Sequence, residues 1–294
     1  MNDLNADEVF HLFELARDLK NRYKRGEIQV PALKGKVLGM VFAKPSTRTR
    51  ISFELAMLQL GGYAINLSTE GMQLSRGETL GDTGRALSRY LNGIMIRTFR
   101  QEDVEQLAKY SSIPVINGLT DLHHPCQALA DLFTIWEKKG SFKAVKLTYF
   151  GDGNNVCNSL LQAAALVGLE MQAVTPPDCQ PPKVILTGLK NSQKKILATT
   201  NPKIDLSDTD FVYTDVWVSM GQEGAKKAKE KFLAYQVNGV LLKKAPSKVM
   251  VMHCLPAHRG EEITDEVMDG PNSIVWDQAE NRLHFQKALL AALL

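Results

Sequence analysis

The chain has 294 residues, 44% hydrophobic and 23% charged, an ordinary balance for one large globular domain or two of usual size. Its 35 basic and 32 acidic residues leave a net charge of +3, too small an excess to argue for nucleic acid but compatible with a local basic pocket for an anionic metabolite. Cys126, Cys157, Cys179 and Cys254 form no C-x-x-C pair, which argues against a disulfide framework or a structural zinc site and for a reduced, cytoplasmic protein.

Residues 1–20 carry an acidic amphipathic helix pattern, with Val9, Phe10, Leu12, Phe13 and Leu15 as its apolar stripe. The pattern lacks the apolar core of a signal peptide and is too acidic for a transit peptide, and no later run is long enough to span a membrane. The run 35–42 predicts a buried strand. A polar segment, 43–50, separates it from a helix that ends at Gly61-Gly62. Strands follow at 64–67, 93–97 and 114–117, with helices over 79–91 and 104–110 between them. His124-Pro125 opens a long helix that runs to about Gly140. A second series begins with a strand at 145–151 and continues with a helix over 155–167. Its later strands are 171–174, 211–214 and 249–252, and 279–294 is a terminal helix. Residues 176–206 show little periodicity. This alternation predicts an α/β chain of two similar domains, each a parallel sheet flanked by helices. The domains are expected at 1–133 and 134–278, with helix 279–294 packing back on the first.

Several strand ends carry residues suited to chemistry. Lys44-Pro45-Ser46-Thr47-Arg48-Thr49-Arg50 lies between a strand and a helix, where outward amide groups, hydroxyls and guanidinium groups can bind an anion. It lacks the glycines of a P-loop, and a plain helix cap flanked by solvated arginines is the alternative. His124 and Gln127 stand three apart at a helix start and can face one ligand, with the histidine polarising a carbonyl. Their surroundings do not have zinc-ligand spacing. Gly151-Asp152-Gly153-Asn154-Asn155-Val156 resembles half of a dinucleotide fingerprint but has Val156 at the third glycine position. Its asparagines can either bind a carboxylate or cap the helix. Asp215 can hold a substrate ammonium. Cys254, in His253-Cys254-Leu255-Pro256, is either a proton-transfer group or a buried small apolar residue. Ligands bind outside the carboxyl ends of strands in open α/β sheets, so one cleft between the two domains is expected to collect these segments.

Together these motifs resemble the aspartate/ornithine carbamoyltransferase family. The likeness is carried by Ser46-Thr47-Arg48-Thr49-Arg50, His124-Pro125-Cys126-Gln127, Asp215 with Ser219-Met220-Gly221, and His253-Cys254-Leu255-Pro256, in the family order. The resemblance implies that Ser46, Thr47, Arg48, Thr49 and Arg97 bind the phosphate-bearing donor, carbamoyl phosphate. It implies that His124, Gln127 and Arg282 hold the carbamoyl group, supported by the backbone of Cys254 and Leu255. Gln73 stands where the family reaches into a neighbouring subunit, which implies a homotrimer or a multiple of one. Asn155, Asp215, Ser219 and Met220 would bind the acceptor, and no metal or organic cofactor is implied.

The acceptor is expected to be ornithine. An aspartate site needs cations for two carboxylates, whereas the loop here is neutral, Val218-Ser219-Met220-Gly221, with acidic Asp215 before it. Arg48, His124 and Arg282 are expected to stabilise the oxyanion that forms on attack. Asp215 and Cys254 are both candidates for the proton from the amine.

Overall fold

The computed structural model describes residues 3–189, 196–218 and 226–294, the side chains of 226–228 excepted. The chain divides into two compact units. One holds Asp7–Ala130 and Asn281–Leu294, and the other holds Asp131–Glu280 with the N-terminal residues through Ala6.

The first unit is built from α1 (Ala6–Lys24), β1 (Val37–Phe42), α2 (Arg48–Gln59), β2 (Tyr63–Ser68), α3 (Leu80–Leu87), β3 (Gly93–Arg97), α4 (Gln101–Tyr110) and β4 (Val115–Leu119). Its strands are parallel in the order β2-β1-β3-β4. Central β1 and β3 are almost wholly buried, which is why they read as unbroken apolar runs. Edge strand β2 leaves Tyr63 and Ile65 exposed. The helix expected over 79–91 is shorter, ending at Leu87, where the Ser88 hydroxyl donates back to the Gly84 carbonyl at 2.7 Å.

The second unit starts within α5 (Pro125–Lys139). It continues through β5 (Lys146–Phe150), α6 (Asn155–Val167), β6 (Glu170–Val174), α7 (Lys183–Gly188), β7 (Ile196–Thr199), β8 (Phe211–Thr214), α8 (Gly239–Leu242), β9 (Met250–His253) and α9 (Asp265–Met268). The parallel order is β7-β6-β5-β8-β9, which sets the carboxyl ends of β5, β8 and β9 side by side. Phe150, Val212, Val251, Ile263 and Val275 belong to its buried core. Strand β7 lies in the segment without clear periodicity. It is a short edge strand with Leu197 exposed, so it lacks the apolar run of its neighbours.

The last helix, α10 (Val275–Leu293), begins a turn earlier than the expected residue 279. Gln278 is buried but polar and hides the apolar period of that first turn. From Asn281 onward α10 belongs to the first unit. There Phe285 meets Phe13 edge-on at 6.2 Å, and Lys20 donates to Asn281 Oδ1 at 2.8 Å. Among the described residues no helix is long and apolar enough to cross a membrane.

Candidate active site

In the first unit the polar residues converge on the start of α2. Thr47 precedes this helix and makes no side-chain cap, so the first-turn amides have no competing side-chain acceptor there. Ser46 is half-buried, Thr47 and Arg48 are exposed, and Thr49 is buried. The Thr49 hydroxyl is a shared acceptor. Arg97 Nη1, at the end of β3, lies 3.4 Å from it, and Arg282 Nη2, from α10, lies 3.2 Å from it. Arg282 Nη1 also donates to Gln127 Oε1 in the first turn of α5. Residues 49, 97, 127 and 282 are therefore one cluster, although 233 positions separate the outer pair.

Three guanidinium groups, Arg48, Arg97 and Arg282, set the electrostatics of this cluster. Arg97 is 5% exposed, and burial, then the neighbouring Arg282 and Arg48, lower its guanidinium to about 10. Its Nε is buried without a hydrogen-bond partner among the described residues. His124 caps α5, its carbonyl accepting from the amides of Gln127 and Ala128, each at 3.2 Å. Burial and then Arg282, Arg97 and Arg48 hold its imidazole well below the ordinary value, so the ring is neutral near pH 7. Lys44 is used differently: it pairs with Asp121 and stands 4.2 Å over the Phe99 ring. Gln73 is exposed on a short 3-10 turn, Gln73–Arg76.

In the second unit, Asp215 follows β8 and is 5% exposed. Its Oδ1 accepts from the Cys254 thiol at 2.8 Å and its Oδ2 from Asn154 Nδ2 at 2.7 Å. Cys254 follows β9. Burial first, and then Asp215, pushes its thiol well above the usual range, so the sulfur keeps its proton. Asn154 also caps α6, its Oδ1 accepting from the amides of Val156 and Cys157 at 3.0 and 3.1 Å. In the sequence the two asparagines of this turn are equivalent candidates for binding or capping. The structure separates them, with Asn154 at the aspartate and Asn155 half-buried as the first helical residue. The signal for Asn154 was its place immediately before a helix. Ser219 and Met220 lie outside the described residues.

Gly151 is required by its φ of 132°, and Gly153 by packing. A β-carbon on Gly153 would lie 2.4 Å from Pro181 N and 2.5 Å from the Cys179 carbonyl oxygen. The Gly153 amide already donates to that carbonyl at 2.7 Å. It is therefore occupied by protein rather than offered to a pyrophosphate, which removes the ground for a dinucleotide site.

Two family models cover nearly the whole chain. The carbamoyl-P binding domain of aspartate/ornithine carbamoyltransferase matches residues 1–137, and the Asp/Orn binding domain matches residues 143–293. The chain is 56% identical to an ornithine carbamoyltransferase of Oceanobacillus iheyensis, over 99% of this chain and 92% of that protein. It is 53% identical to one from Bacillus cereus, over 100% of this chain and 92% of the relative. Among solved structures, the ornithine carbamoyltransferase from Pyrococcus furiosus superposes with a TM-score of 0.94 at 50% identity, covering 99% of this chain and 94% of that one. The enzyme from Thermus thermophilus gives 0.88 at 42% identity, covering 99% and 96%.

Proposed function

Because the chain belongs to the aspartate/ornithine carbamoyltransferase family, we propose that it transfers the carbamoyl group of carbamoyl phosphate to ornithine, giving citrulline and phosphate. The observation that carries the donor half is the buried Arg97, set among like charges around Thr49. Gathering cations around a buried guanidinium is costly, and an anion among them offsets that cost. A phosphate dianion, held by Ser46, Thr47, Arg48, Thr49 and Arg97, meets that need.

The carbamoyl carbonyl is assigned to His124, Gln127 and Arg282, with the Cys254 and Leu255 backbone as support. A neutral His124 donates a hydrogen bond to the carbonyl oxygen without adding a fourth cation. Asn155, Asp215, Ser219 and Met220 are assigned to ornithine. Its side-chain ammonium has an ordinary pKa of about 10.4 and must lose a proton before it attacks. Asp215 is the acceptor of choice, because Cys254 keeps its own proton and only hydrogen-bonds through it to Asp215. The amine nitrogen then forms a bond to the carbonyl carbon. Charge collects on oxygen, facing Arg48, His124 and Arg282. Collapse breaks the bond to the phosphate oxygen, and phosphate leaves with the electron pair and takes up the second amine proton.

We assign donor binding to 1–133, joined by 279–294, and acceptor binding to 134–278. A homotrimer or a multiple of it is supported by large apolar residues left exposed on the first unit, Ile51, Leu55 and Leu58 of α2 and Tyr63 and Ile65 of β2. Gln73 would then serve a neighbouring subunit's site, and light scattering of the purified chain tests the assembly. Four free cysteines support a reduced, cytoplasmic place, and a role in arginine biosynthesis is assigned on family membership. The deciding assay is citrulline formation, with aspartate, putrescine and N-acetylornithine run beside ornithine. Preference for ornithine supports the reading. Turnover of another amine keeps the donor site and rejects the acceptor assignment.

A further inference from the structure

Strand β9 ends in His253, whose ring is buried. Its Nε2 stands 3.0 Å from Oε1 of Glu262, a carboxyl group that is also fully buried. On the opposite edge of the ring, the Leu255 amide donates to Nδ1 at 2.8 Å. A backbone amide can only donate, so Nδ1 carries no proton, and the neutral ring places its proton on Nε2, facing Glu262. Glu262 is itself held, its Oε1 accepting from the His258 amide at 2.5 Å. The root of the turn is held as well, because the His253 amide donates to Gln278 Oε1 at 2.9 Å.

The residue that receives this support is strained. Leu255 has a φ of 60°, in the left-handed region that a residue with a β-carbon rarely adopts. Such conformations persist where surrounding contacts impose them, and they cluster at ligand clamps. The His253 ring supplies one such contact, and Glu262 keeps the ring in the tautomer that can supply it.

We infer that Glu262 and His253 are positioning residues for the carbamoyl site. Glu262 fixes the ring, and the ring fixes the Leu255 backbone, which presents the Cys254–Leu255 peptide to the carbamoyl group. The inference rests on the carbamoyl-transfer reading of that turn. His253 and Glu262 act on the reaction only through the peptide they hold.

Two isosteric halves of the imidazole separate this role from simple core packing. In His253→Asn the side-chain oxygen takes the place of Nδ1 and still accepts from Leu255. In His253→Gln the amide takes the place of Nε2, reaching Glu262 and abandoning Leu255. A misplaced reacting group costs on the order of a hundredfold in rate. Turnover of the Gln variant is therefore expected to fall about a hundredfold and that of the Asn variant about tenfold or less, with the ornithine KM little changed in both. Gln losing no more than Asn, at matched melting temperatures, overturns the inference. So do losses that simply follow melting temperature. Nitrogen NMR of the unsubstituted, 15N-histidine-labelled protein gives a test free of folding effects: a proton on Nε2 supports the relay, and one on Nδ1 overturns it. An unsubstituted chain that makes no citrulline removes the carbamoyl-transfer reading and this inference with it. An active parent with the wrong variant order or tautomer removes the inference alone.

Discussion

The sulfur of Cys254 lies 2.8 Å from Asp215 Oδ1 and donates to it. With Asn154 donating to Oδ2 at 2.7 Å, both oxygens of the aspartate are oriented from within the second unit. The pair therefore has one acidic partner and one proton-holding partner, and the roles follow from that asymmetry. Asp215→Asn is expected to lower kcat by about a hundredfold or more, within the range for loss of a general base. Cys254→Ser keeps a donor at that place and is expected to lose far less. Carbamoyl phosphate binding, measured by calorimetry without ornithine, should be unchanged in Asp215→Asn. Equal weakening of both substrates would count against the assignment.

Thr49 is the next point of test, because its hydroxyl accepts from two buried guanidinium groups. Thr49→Val keeps the shape and removes the acceptor. A hydrogen bond to a charged group contributes about 1.5–3 kcal/mol, so kcat/KM for carbamoyl phosphate is expected to fall between about tenfold and a hundredfold. The ornithine KM is the internal control, since ornithine is assigned to the other unit. A Val variant with normal donor kinetics would show that Thr49 serves packing alone.

Much of this was legible in the sequence where one physical factor dominated. Strands β1 and β3 are buried and read as unbroken apolar runs, and the hydroxyl and guanidinium cluster before α2 announces an anion site by its density. Arg282 was not legible from its own surroundings. A single arginine near the start of a helix reads as a surface charge, and only the fold brings it to Thr49 and Gln127. His253 was hidden in a similar way. Its partner Glu262 lies nine positions on, in a stretch with no strand or helix pattern, and burial is what gives the pair its meaning.

The mutual repulsion at Arg97 predicts a stabilising effect of simple anions. A ligand that binds only the folded chain stabilises it by about 2.7 kcal/mol at a hundred times its Kd. Inorganic phosphate is expected to raise the melting temperature, and Arg97→Met to remove most of that rise. A phosphate effect equally large in Arg97→Met would place the anion elsewhere.

The neutral, buried His124 sets a pH dependence of stability. The unfolded chain binds a proton at this residue near its ordinary pKa of about 6.5, while the folded chain refuses it until well below that value. Between those two points the unfolded state binds more protons, so stability falls as pH falls. His124→Gln should flatten the decline of melting temperature below about pH 6.5. An unchanged slope would mean that His124 is not what limits acid stability.

Asp152 carries the opposite linkage. Burial, then the charge of Asp215, raises its carboxyl from 3.8 to about 6. Between those values the folded chain binds the extra proton, so the stability tied to that proton is present at low pH and is lost as pH rises through about 6. Near pH 7.5 the ionised group is therefore a net cost, on the order of 1–3 kcal/mol. Asp152→Asn removes the charge and leaves the Asp152 carbonyl in place to accept from Tyr149 OH at 2.8 Å. The variant is expected to melt higher than the parent at pH 7.5 and to match it near pH 4. Because part of the shift comes from Asp215, the gain should shrink in an Asp215→Asn background, a coupling that a double-mutant cycle reads directly. A gain of the same size at both pH values would mean the substitution acts through packing and not through charge.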